Sequence, residues 1–72
     1  KQGSAAAAHL LGRLYVEGEA VDADPATAFR WFLAAESLGH VSAAHDRRRA
    51  GRMLTVDARR EIRSEMIQQI AY

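Results

Sequence analysis

The side chains best suited to hold a metal or move a proton are three histidines, His9, His40 and His45. Cysteine is absent, so neither a thiolate metal site nor a disulfide framework is available. His9 and His45 each have arginine, not a histidine or carboxylate, four residues on, at Arg13 and Arg49. A guanidinium in that place works against a bound cation, so no metal and no cofactor are expected. His40 follows a glycine that would end a helix, where the carbonyl end favours positive charge. Catalysis asks for a nucleophile beside a base, or two carboxylates across a cleft. Ser4, Ser37, Ser42 and Ser64 fall at caps or on polar faces, with no glycine-rich elbow. Asp22 belongs to a loop and Asp24 to a helix cap, and Gly18 stands alone rather than in a phosphate-cradling loop. The expectation is a chain that is not an enzyme.

The charged residues are unevenly shared. Residues 1–46 carry three basic and six acidic side chains, a net of −3, while residues 47–72 carry seven arginines and three acids, a net of +4, which together give +1. A basic tail on an acidic body suggests pairing with an acidic neighbour or partner. Arg47, Arg48, Arg49 and Arg52 form the one charge run. A nucleic-acid surface would want aromatic side chains exposed between such clusters. Phe29, Trp31 and Phe32 instead lie at helical spacing in the most apolar segment. They read as core, which leaves nucleic-acid binding through the arginine run as the lesser alternative. The run reads first as a solvated, partly ion-paired helix face.

These residues must be positioned by helices. Valine and isoleucine are too scattered for strands, and no run reaches the about 20 apolar residues a membrane span needs. A first helix is expected at 5–17, capped by Ser4, with Ala7, Leu11, Leu14 and Tyr15 on one face and the small residues Ala8 and Gly12 at its edge. Glycine inside a helix costs about 1 kcal/mol relative to alanine, so Gly12 implies a close neighbour. Gly18 ends that helix, and Val21 is expected to plug back between helices. Asp24 and Pro25 open a second helix over 25–38, whose stripe is Ala28, Trp31, Phe32, Ala35 and Leu38, widened by Phe29 and Leu33. A third helix over 41–53 shows Ala43, Ala44, Ala50, Met53 and Leu54. Thr55 caps a fourth over 56–70, with Val56, Ile62, Met66, Ile67 and Ile70 on its apolar face.

The chain also repeats itself. Shifted by 36 residues, Gly3 lands on Gly39, Ala7 on Ala43, Ala8 on Ala44, His9 on His45 and Arg13 on Arg49. That period, with Leu11-Gly12-x-x-Tyr15, Gly18, Asp24-Pro25, Ala28, Trp31, Ala34-Ala35 and Gly39 in order, resembles a Sel1-like repeat, a relative of the tetratricopeptide helical hairpin. Residues 1–3 would end a preceding repeat, 4–39 form a complete one, and 40–72 a degenerate repeat with a capping helix, since Arg48 stands where the pattern has glycine. The opening Lys1-Gln2-Gly3 has no signal-peptide pattern, and the chain reads as part of something longer, with its compartment open.

The resemblance implies an all-α, right-handed superhelical solenoid of about four helices in antiparallel hairpins. It further implies a non-catalytic adaptor or scaffold that holds another protein or peptide on the surface lined by the first helix of each hairpin. There the pairs His9/Arg13 and His45/Arg49 would form a partner-facing ladder suited to an acidic or carboxylate-bearing peptide. The alternative is a purely structural cap or self-association element of a longer array. No membrane insertion is expected.

Overall fold

A computed structural model of the chain describes residues 2–70, with side chains described over 4–67. Four α-helices follow one another: α1 (Gln2–Glu17), α2 (Pro25–Ser37), α3 (Ala43–Arg52) and α4 (Val56–Ile70). No strand occurs among the described residues, and the fold is all-α. Among the described residues no helix is long and apolar enough to cross a membrane.

The helix ends follow from local chemistry. Gly18 takes φ +70° and its amide returns to the Leu14 carbonyl, which closes α1. The Asp24 amide then donates to the Tyr15 carbonyl at 2.9 Å and folds the loop back onto α1. Asp24 caps α2: its carboxylate accepts from the Thr27 amide at 3.2 Å and the Thr27 hydroxyl at 2.7 Å. These hydrogen bonds hold the Asp24 carboxyl below its ordinary value of 3.8. Pro25 occupies the first helical position, where its missing amide costs nothing. At the other end Gly39 has φ +98°, its amide donates to the Glu36 carbonyl, and the His40 amide reaches the Ala35 carbonyl. That paired return is a Schellman closure, and only glycine adopts the central conformation without strain. Thr55 caps α4, its hydroxyl accepting from the Ala58 amide at 3.0 Å.

Several expectations are corrected. The first helix starts at Gln2, so Gly3 is helical and Ser4 lies in the first turn rather than at the cap. The buried line of α1 is Ala5, Ala8 and Gly12, while Ala7 faces solvent and Leu11, Leu14 and Tyr15 are half-buried. Small residues sit at the centre because the Phe32 ring lies directly on Gly12. Val21 and Leu38 are exposed, because the first is in a loop tied down by the Asp24 amide and the second is the C-cap of α2. Of the apolar face expected for α4, Ile62 is buried and Met66 half-buried, whereas Val56 and Ile67 are exposed. The side chain of Ile70 lies outside the described residues.

α2 touches each of the other three helices, and α1 also touches α3. The neighbours Gly12 against Phe32 and Ala8 against Ala35 run in opposite senses along α1 and α2, so those helices are antiparallel. Gly51 against Phe29 and Arg47 against Glu36 give the same result for α2 and α3. One cluster gathers Ala28, Phe29, Phe32, Ala50 and Ile62, with Leu33, Leu54 and Met66 against it. A second gathers Ala8, Ala35 and Ala43, with Trp31 packed on its side. Trp31 is therefore half-buried, and the fully enclosed rings are Phe29 and Phe32. Burying such a ring contributes about 1.5–3 kcal/mol. The shortest extent, 19 Å, is about two helix diameters.

Candidate functional site

Two polar assemblies stand out, one at each end of α3. At its N-terminal end the Schellman closure places His40 beside α1. Asp46, in the first turn of α3, accepts from His9 Nε2 on α1. His9 Nδ1 faces His40 Nε2 at 3.1 Å, and these two nitrogens share one hydrogen between them. Ser42 Oγ stands 3.0 Å from the same His40 nitrogen. The His9 ring lies 4.6 Å from the His40 ring and 5.8 Å from the Phe32 ring, centre to centre. This line of Asp46, His9, His40 and Ser42 ties α1, the α2–α3 turn and α3 together. It also explains why Ser42, at the N-cap of α3, makes no side-chain cap hydrogen bond. Its residue types match a proton relay, but Ser42, His9 and His40 line neither of the two grooves along α3 and α4. Its geometry suits a strut.

The four histidines and arginines expected to face a partner are not equivalent. His9 is half-buried and engaged with Asp46 and His40. Arg13 is exposed and pairs with Glu17 at 3.6 Å. His45 and Arg49 are exposed on α3. Among the described residues no hydrogen bond or ion pair joins any two of the four. The signal missed in the sequence was Asp46, which follows His45 and meets His9 from 37 residues away. Among the described residues no set of three histidine or carboxylate side chains is arranged to hold a metal.

The second assembly lies along α3 and α4. Two adjoining grooves open there, with Arg47 and Arg63 at their boundary. The first, of about 390 Å³, is walled by Leu33, Met66 and Ile67 and carries the Arg47–Glu36 ion pair. The second, of about 340 Å³, is walled by Arg47, Arg48, Arg52, Arg59 and Arg63 with Phe29 at its base, and no carboxylate lines it. Arg59 donates to the Gly51 carbonyl at 2.6 Å. Arg63 lies over the Phe29 ring, 5.7 Å from its centre. Gly51 makes this arrangement possible, since a Cβ there would stand 3.1 Å from Phe29 and 3.2 Å from the Arg59 side chain. The arginine run was visible in the sequence. Its joining by Arg59 and Arg63 was not, because the angle between α3 and α4 cannot be read from periodicity. No protein-family model, no curated protein and no solved structure matches the chain.

Proposed function

We propose that this chain is a non-catalytic protein-interaction module, built as Sel1-like hairpins of a right-handed solenoid. The observation that carries the reading is the two-sided packing of α2. Its Phe32 ring lies on Gly12 of α1 and its Phe29 ring lies on Gly51 of α3. A helix covered on two faces by its own hairpin partner and by the next first helix is how stacked hairpins share a core. The contacts of α1 with α3 and of α2 with α4, beside the two hairpin contacts of α2, support the same reading.

In that arrangement the partner-facing residues are Arg13, His45 and Arg49, with His9 holding α1 to α3 through Asp46. An acidic or carboxylate-bearing peptide suits their chemistry. The test is the variant Arg13→Ala/His45→Ala/Arg49→Ala, which leaves His9 and its strut intact. Binding of a fluorescent acidic peptide should weaken by about tenfold, as expected for loss of charge-assisted hydrogen bonds, with helicity unchanged. Equal affinity of variant and parent would sink this placement. A second reading, a structural cap or self-association element, is favoured by α4, which buries Ile62 while presenting Arg60, Glu61 and Ser64 to solvent.

A further inference from the structure

The arginine-walled groove of α3 and α4 carries more positive charge than the fold uses. Of its five guanidiniums, one has a carboxylate partner among the described residues, Arg47 with Glu36. Arg59 is oriented by a backbone carbonyl and Arg63 by an aromatic face, so both are held in place without being neutralised. Arg48 and Arg52 are exposed at the rim, with no ion pair among the described residues. Like charges gathered in one groove repel, and that cost is relieved when an anion enters.

The number of donors selects the anion. A carboxylate has two oxygens and is satisfied by one bidentate arginine. A phosphomonoester carries about −1.5 to −2 charge and three acceptor oxygens, which several guanidiniums can share. The neighbouring groove selects what bears it. Leu33, Met66 and Ile67 form an apolar wall directly beyond Arg47 and Arg63. An extended segment can place an aliphatic side chain there and an anionic one among the arginines. The aromatic ring at the base is 1% exposed and offers no face for a base to stack on. We infer that this double groove binds a peptide segment of a partner protein through a phosphorylated side chain, with an aliphatic residue beside it seated against Leu33, Met66 and Ile67. The site is complete within this chain and does not depend on the Arg13, His45 and Arg49 surface. In the variants used to test it those three residues remain, so failure here leaves the adaptor reading standing.

The experiment is fluorescence anisotropy of the 72-residue chain with a labelled nonapeptide holding one phosphoserine flanked on both sides by leucine. Its unphosphorylated form, a form with alanine for leucine, and a single-stranded oligonucleotide of about 20 nucleotides run alongside at equal salt. Arg48→Gln/Arg52→Gln is the principal variant, since both side chains are exposed and folding is not at stake. Arg63→Gln tests the boundary, and Arg60→Gln, exposed on α4 and outside the groove, is the control. The phosphopeptide should bind at least tenfold more tightly than the unphosphorylated and alanine forms. The double variant and Arg63→Gln should each weaken it by about tenfold or more, with Arg60→Gln unchanged. Equal binding with and without the phosphate would overturn the proposal. So would an unaffected double variant, or an equal loss with Arg60→Gln, which marks diffuse charge. Tighter binding of the oligonucleotide would replace it with a nucleic-acid site.

Discussion

A methyl group added at Gly12 would stand 2.5 Å from the Phe32 ring, far inside the contact distance of two carbons. Alanine is the better helix former by about 1 kcal/mol, so propensity alone predicts that Gly12→Ala stabilises. The clash decides otherwise. Phe32 is fully buried between helices and has nowhere to swing, so the substitution forces α1 and α2 apart and should cost about 1–3 kcal/mol net, read as a lowered urea midpoint. A midpoint equal to or above the parent's would show that the helices do not meet there. The need for Gly12 was legible, because a helical glycine with a cost must have a neighbour. The need for Gly51 was not. The repeat register looks for glycine at position 48, where Arg48 stands, and nothing in the spacing marks Gly51 as the place where a second ring and the Arg59 stem lie against the backbone. The strut of His9, His40 and Asp46 was hidden for a similar reason, since its members come from three elements.

The elements themselves were easier to read, because caps act over four residues. Asp24-Pro25, Gly18, Gly39 and Thr55 each mark an end that the structure places within about a residue of expectation. The start of α1 was less legible: Ser4 has the right type for a cap, yet the preceding residues continue the helix. Asp24 gives the cap arrangement a measurable sign. Its folded carboxyl titrates below 3.8 because Thr27 donates two hydrogen bonds to the charged form. The unfolded chain therefore takes up that proton first. The contribution of the cap is fully present above the unfolded value and is lost as pH falls through the folded one. Asp24→Asn should keep most of the cap and remove this part of the acid sensitivity, whereas Asp24→Ala should cost about 1 kcal/mol at neutral pH. Thermal melts from neutral pH down to about pH 3 separate the two. If parent and Asp24→Asn lose stability in parallel over that acid range, Asp24 is not the titrating cap.

At the scale of the whole molecule the question is what α4 does for the rest. α1, α2 and α3 form a connected core through Phe29, Phe32 and the alanines, but α4 lays Ile62 and Met66 on the outward side of that core. It also brings Arg59 and Arg63 against the Phe29 edge and pairs Arg30 with Glu65 at 2.7 Å. The exposed ion pair contributes little on its own, and the apolar cover dominates. A chain of 72 residues has a stability of only about 4–11 kcal/mol to lose. Removing a buried isoleucine costs about 2–5 kcal/mol of that. Cutting after Leu54 should therefore leave a chain that retains part of its helix signal but melts at a much lower temperature. With Leu33 and the Phe29 edge uncovered, it should also self-associate as its concentration rises, which sedimentation would detect. The control is Ile62→Ala in the full chain, which should lower stability by the cavity cost alone and leave its association state that of the parent, since the α4 backbone still covers the face. A truncated chain that associates no more than the parent and melts as cooperatively would mean that α1–α3 close their own core. The surface proposed to bind a phosphorylated segment would then be what α4 is retained for, because Arg59 and Arg63 would be its remaining contribution.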